Sequence, residues 1–173
     1  MPASSRIARL QQLGTLAIAG AGAWWLAAHW EPAPGAAIAG ALVIWFGYAI
    51  VLAIEFAVLA FVGRRDAAPR PTPGALVRAW LAETWLNAVV FAWRQPFRWN
   101  AIPDHLPASA SGRRGVVLVH GFVCNRGLWL PWMAELRGRG IPFVAVNLEP
   151  VFGSIDDYAA IIDAAVARVT QAT

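Results

Sequence analysis

From Ala36 to Val62 the chain runs for 27 residues with a single charged side chain, Glu55. As a helix at about 1.5 Å per residue this segment reaches ~40 Å, beyond the ~30 Å hydrocarbon core of a bilayer, so it must tilt or protrude. A second uncharged run, Leu13 to Trp30, precedes it and spans 18 residues, near the ~20 a crossing needs. Between them, Glu31-Pro32-Ala33-Pro34-Gly35 leaves room only for a tight turn, and its prolines stop both helices. The expected arrangement is a two-helix transmembrane hairpin over residues 13–62, entered from an N-terminal tail of residues 1–12.

The charges set an expected orientation. The net charge of +4 comes from arginine alone, because the chain has no lysine. Arg6 and Arg9 precede the first run; Arg64, Arg65 and Arg70 follow the second; the turn has neither Lys nor Arg. The positive-inside tendency then places both ends in the cytoplasm, with Trp24, Trp25 and Trp30 at the outer interface where indoles are favoured. A cleaved signal peptide over residues 1–28 is the competing reading. It lacks the small residue a cleavage site needs, since Trp25 or Leu26 stands there, and a second apolar run follows at once. No Lys/Arg stripe with interleaved aromatics lies on a polar scaffold, which excludes a nucleic-acid binder. One cysteine, Cys124, rules out an internal disulfide and suits a reducing compartment.

Apolar residues make up 58% of the chain, against the roughly 45–50% of soluble domains. The excess lies before Asn100, as do eight of the ten tryptophans. Glu55 reads as a carboxylate that snorkels or is hydrogen-bonded across the hairpin by Gln11, Gln12 or Arg9, ahead of a transport role. Small residues four apart, Ala17 and Ala21 or Ala36 and Gly40, permit close helix approach, but alanine is so common here that the spacing is near chance.

Residues 63–73 form an Arg- and Pro-rich linker. In the segment 74–99 a third helix is expected from Gly74 to Arg94, with Val77, Trp80, Leu81, Trp85, Val89 and Trp93 at helical spacing and Glu83, Asn87 and Arg94 in a narrow polar stripe. Arg78, Glu83 and Asn87 along its length argue against a crossing. An amphipathic helix lying in the membrane surface is preferred; a helix packed on the following domain is the alternative. Gln95 to Ser111 carries no clear element.

Val116-Val117-Leu118-Val119 reads as a short buried strand that ends abruptly in His120-Gly121-Phe122. A helix is expected from about Leu128 to Leu136, with Trp129, Met133 and Leu136 on one face and Gly138 and Gly140 closing it. Phe143 to Leu148 gives a second strand. Ser154, with Asp157 three residues on, opens an amphipathic helix carrying Tyr158, Ile161, Ile162, Ala165, Val166 and Val169 on one side. Strands alternating with helices imply a partial α/β domain over 100–173: a βαβα unit with parallel strands and right-handed crossovers.

Strand, His-Gly-Phe, Trp129, Leu136 and then Val146-Asn147-Leu148 together resemble the amino-terminal half of the α/β-hydrolase fold, and most closely bacterial triacylglycerol lipases and esterases. Asn147 to Tyr158 is also similar to the segment after the second strand in those lipases, so the likeness covers about Gly115 to Thr173. It implies that the Phe122 backbone N–H is an oxyanion-hole donor, that Gly121 permits the close approach, and that His120 shapes the loop rather than acting as catalytic base. Acyl transfer develops negative charge on a carbonyl oxygen, which fixed N–H dipoles stabilise. The resemblance implies an acyl-ester substrate, no metal and no cofactor. The apolar hairpin implies a bilayer partner, and with the bacterial likeness an inner-membrane location with both termini cytoplasmic.

The departure from the family is as specific as the likeness. No Gly-X-Ser-X-Gly occurs: Ser154 begins a helix, and Ser109 and Ser111 lie in the connector. His29 and His105 precede the hydrolase-like strand, so the family's order of serine, acid and histidine is not met. Cys124 lies in the right loop, yet no base follows it. The expectation is therefore a membrane-anchored serine hydrolase of which these residues hold the oxyanion loop and no nucleophile, acid or base; they should be inactive alone. The alternative is a non-catalytic membrane protein whose βαβα tail binds a partner. A half-sheet also exposes an edge, so the tail alone should aggregate or need that partner.

Overall fold

Helices dominate the computed structural model, which describes residues 5–63 and 69–173. Three come first: α1 (Arg6–Ala28), α2 (Pro34–Val62) and α3 (Pro73–Phe97). They are followed by β1 (Val116–Leu118), α4 (Leu130–Gly138), β2 (Phe143–Ala145) and α5 (Ile155–Ala172). The residues divide into two compact units, one of Gly14–Val89 and one of Met1–Leu13 with Val90–Thr173. Arg64 and Arg65, on which part of the expected orientation rests, lie outside the described residues.

The helical unit is held by small residues and indoles. Pro34 sits in the first turn of α2, where its missing N–H costs nothing. Ala37 and Ala41 are buried. The Trp45 ring lies over Gly22 and the Trp25 ring over Gly40, so a methyl group at either glycine would fall on an indole. Trp45 Nε1 donates to the Ala19 carbonyl at 3.3 Å. Close approach therefore runs through Gly22 and Gly40; of the small-residue pairs expected from spacing, only Gly40 takes part. Between α2 and α3, the Tyr48 hydroxyl of α2 donates to the Thr84 carbonyl (2.9 Å) and Trp80 Nε1 of α3 donates to the Ala49 carbonyl (2.8 Å). Most large apolar side chains of α2, among them Phe46, Ile50, Ile54 and Phe61, point outward and are exposed.

Among the described residues, two helices are long and apolar enough to cross a membrane, Pro34–Val62 and Pro73–Phe97. The second expected crossing falls within α2. The first, Leu13 to Trp30, falls in α1, which is not one of the pair, and the helix expected to lie in the surface is. The difference follows from where α1 begins. Its first turns carry Arg6, Arg9, Gln11 and Gln12, and what remains from Leu13 to Ala28 reaches only ~24 Å.

Residues 1–12 were expected as a tail, but α1 starts at Arg6, and Ile7 and Ala8 are buried. Ser5 caps it, its Oγ accepting the Ala8 N–H at 3.2 Å. At the other end of the helical stretch, α3 starts on a Thr72 cap that accepts from Ala75 N–H. It widens into a π-helical turn over Ala88–Arg94 and closes on Gln95–Phe97. Pro96 explains the widening: it has no N–H for Ala92, and its ring would strike that carbonyl in a regular helix. The segment expected to be a featureless connector thus begins with a helical turn in which Gln95 and Pro96 are buried.

In the second unit β1 and β2 pair in parallel, with Val116 opposite Phe143 and Leu118 opposite Ala145. Both strands are shorter than the sequence suggests, although the Val146 N–H still reaches the Leu118 carbonyl at 3.1 Å. His105 bridges the far edge of β2 in antiparallel sense, exchanging two hydrogen bonds with Phe143. Helices cover both faces. On one, Leu118, Met133, Phe143 and Ala145 pack with Trp129 and Leu136, the α4 face the periodicity predicts, though the helix opens with a 3-10 turn at Arg126–Trp129. On the other, Val144, Val146, Ala165 and Val169 pack with Ile161. Val166 departs from the expected stripe and is 47% exposed. The predicted cap of α5 forms as a full capping box between Ser154 and Asp157.

A buried charge cluster ties the connector to this core. Asp104 accepts from Arg126 and from Arg168, each at 2.9 Å, and from the Ala145 N–H at 3.2 Å. Burial lowers the pKa of Arg126, and Asp104 opposes that shift.

Candidate functional site

Residues after β1 turn away at His120 and reach α4 through Val123, Cys124 and Asn125. His120 is 5% exposed. Its Nε2 accepts the Leu148 N–H at 3.0 Å, and its Nδ1 lies 2.9 Å from the Gly121 carbonyl. A backbone N–H can only donate, so Nε2 is unprotonated and the ring proton sits on Nδ1, donated to Gly121. Burial lowers the His120 pKa, opposed by the Gly121 carbonyl and the charge of Glu149. With both nitrogens engaged, His120 is a neutral strut joining the loops that leave the two strands, and it offers no free base.

Phe122 does the opposite. Its side chain is 74% exposed and meets Phe152, itself 77% exposed, edge to face at 5.8 Å. Its N–H makes no hydrogen bond among the described residues. Val123 follows with φ of 56°, a left-handed conformation that a β-branched residue adopts at a cost of about 1–2 kcal/mol. His120, Gly121, Phe122, Val123 and Cys124 line one side of a cleft of about 350 Å³. Its other walls are Leu148, Val151, Gly153, Ile155, Tyr158 and Ile162. The Tyr158 hydroxyl donates to the Pro150 carbonyl at 2.6 Å, which leaves its ring to face the cleft. The walls are apolar and suited to a hydrocarbon chain.

Cys124 is half-buried on that wall. Burial raises its thiol pKa, with the Gln95 amide pulling the other way. No histidine or carboxylate among the described residues bonds to it, so nothing makes it a thiolate. Ser154 spends its hydroxyl on the α5 cap. His29 stacks on Trp25, and His105 belongs to the β2 bridge. The structure thus gathers the three residues singled out from sequence, His120, Gly121 and Phe122, at one cleft, with the unactivated Cys124 thiol beside them and no serine nucleophile among the residues that line it.

Gln11, which the sequence offered only as a partner for Glu55, holds this loop together with Gln95 and Asn125, for which it suggested no role. Asn125 is fully buried. It takes the Gly127 N–H on Oδ1 at 2.8 Å, and its Nδ2 donates to Gln11 Oε1 (2.9 Å) and the Gln95 carbonyl (2.8 Å). Gln11 Nε2 donates to the Val123 carbonyl at 3.0 Å, and Gln12 Nε2 to the Pro96 carbonyl at 2.7 Å. The glutamines expected opposite Glu55 are therefore engaged here instead. The available sequence signal was Asn125 two residues before Gly127, an Asx-turn pattern. Gly127 must be glycine because the Arg94 carbonyl and Asn125 Oδ1 occupy the space of a Cβ.

Among the described residues no group of three or more His, Cys, Asp or Glu is placed to hold a metal. No family model, no curated protein and no solved structure matches the chain.

Proposed function

We propose that this chain is the amino-terminal part of a membrane-anchored esterase- or lipase-like serine hydrolase, with the Phe122 N–H as one oxyanion-hole donor and an acyl ester as substrate. The observation that carries the reading is that an unengaged N–H lies in the loop after β1, four residues beyond Leu118, on an apolar cleft beside a neutral, doubly bonded histidine. A fixed donor at the carboxyl edge of a parallel sheet is what a developing oxyanion requires. The nucleophile, acid and base are not among these 173 residues. The second reading, a non-catalytic membrane protein with a partner-binding tail, draws on the sheet: among the described residues β1 has β2 on one edge and nothing on the other.

The membrane part of the proposal is constrained by connectivity. Ser5 donates to Glu149 at 2.6 Å and Gln12 to the Pro96 carbonyl, so the start of α1 and the chain after α3 lie on one side of any bilayer. The number of crossings between them is then even, and α1, α2 and α3 cannot all span. One pairing with an even count is α2 with α3, the two helices long and apolar enough to cross. We favour the other, α1 with α2 as the spanning hairpin and α3 in the surface, because Arg78, Glu83 and Asn87 punctuate α3; the ~24 Å apolar run of α1 then calls for a locally thinned bilayer. Both termini are then cytoplasmic at an inner membrane.

The purified 173-residue chain should turn over no p-nitrophenyl butyrate. Turnover abolished by a serine-directed phosphonate would contradict the proposal. Reading the gene beyond codon 173 separates the two functions: an in-frame Gly-X-Ser-X-Gly within roughly twenty codons supports the hydrolase, and a stop with no such motif supports the partner-binding tail.

A further inference from the structure

We propose that Gln11, on the membrane-proximal helix α1, and Gln95, at the end of α3, are positioning residues that set the backbone of the Phe122 loop. This rests on the reading of the Phe122 N–H as the oxyanion donor. The Phe122 N–H shares its peptide plane with the Gly121 carbonyl, which accepts the Cys124 N–H at 3.3 Å. The Val123–Cys124 peptide, turned by the left-handed Val123, thereby bears on where that N–H points. The Val123 carbonyl is bonded by Gln11 Nε2 at 3.0 Å. Two residues on, the Asn125 N–H is bonded by Gln95 Oε1 at 2.7 Å. The two glutamines are coupled, Gln11 Nε2 to Gln95 Oε1 at 3.2 Å, and Asn125 Nδ2 closes the ring on Gln11 Oε1. Each carboxamide both donates and accepts or accepts twice within this ring, so a group that cannot donate at position 11 breaks it. Gln95 and Asn125 are fully buried, and water does not replace a lost partner there.

A second attachment fixes where Gln11 stands. Glu149, at the exit of the β2 segment, accepts Ser5 Oγ at 2.6 Å and the Arg6 N–H at 3.2 Å. A carboxylate on the first turn of a helix also satisfies its unpaired amides and dipole. The helix is thus pinned to the loop after β2 at its start and to the loop after β1 less than two turns later. On this account α1 is a working part of the cleft as well as an anchor.

The test uses the full chain in lipid nanodiscs with ¹⁵N-phenylalanine, the Phe122 amide being assigned by its loss in Phe122→Tyr. In Gln11→Glu at pH 7.5 a carboxylate faces the Val123 carbonyl and Gln95 Oε1 with nothing to donate. The Phe122 amide should shift by more than its linewidth from wild type. As pH falls the carboxyl regains an O–H, and the difference from wild type should close. Gln11→Met, close in shape but unable to bond, should shift the same amide at every pH; it decides the matter if Gln11→Glu does not fold. A Phe122 amide that coincides with wild type in both variants overturns the proposal, as does a Gln11→Glu shift that persists unchanged to low pH. No ligand enters this comparison, so it fails or holds independently of whether Phe122 binds an oxyanion.

Discussion

At the scale of single residues, His120 has both ring nitrogens engaged in joining the two loops. His120 is neutral in the fold because protonating Nε2 would set two donors, that N–H and the Leu148 N–H, against each other in a buried site. Its folded pKa lies below the usual 6.5, so the folded state binds fewer protons than the unfolded one as pH falls. The sign follows: the contribution is complete above about pH 6.5 and is lost as pH drops through the folded value. Thermal unfolding of the wild type from pH 8 to 5 should show this loss, and His120→Gln should show less of it. A wild-type profile no steeper than that of His120→Gln would contradict the assignment. The motif containing His120 was legible in sequence because a strand followed by His-Gly-Phe is local. Gln11, Gln95 and Asn125 were not, because each looks like an ordinary polar residue until chain segments 84 to 114 residues apart meet.

At the scale of elements, periodicity was a good guide where one face packs against the sheet, Val166 excepted. Met133, Ala165 and Val169 are buried, and Trp129 and Leu136 partly buried, as their spacing predicts. The α5 cap is likewise local and formed as read. Periodicity misled where helices are apolar all round or where a bonding partner is distant: α1 begins seven residues before the expected span, and α3 carries a π turn ahead of Pro96. The connector gave no sign of its main element, the Asp104 cluster. That cluster joins the connector to α5 and to the start of α4, and its two buried members are Asp104 and Arg126. Asp104→Asn leaves the Arg126 charge buried and unpaired, which costs about 3–5 kcal/mol. Denaturant unfolding monitored by tryptophan fluorescence measures it. A loss comparable to that of an exposed ion pair, under about 1 kcal/mol, would show that Arg126 finds water or another partner.

At the scale of the whole molecule, the bonds from α1 to the chain after α3 force an even number of crossings. The favoured hairpin puts Arg70 and the α/β unit on the same side. In a Cys124→Ser background, Arg70→Cys and Ser111→Cys should both be shielded from an impermeant maleimide added outside intact cells. Labelling of one but not the other would exchange the spanning pair for α2 and α3. On the proposed function the anchor serves the Phe122 N–H, and whether that N–H takes an oxyanion can be tested directly. The full chain in nanodiscs, labelled with ¹⁵N-phenylalanine, is titrated with hexanoate, whose carboxylate stands in for the oxyanion and whose chain suits the cleft. The account predicts a saturable downfield shift of the Phe122 amide proton, with the other phenylalanine amides outside the cleft unmoved. A Phe122 amide that does not move, or that drifts linearly along with all the others, contradicts it.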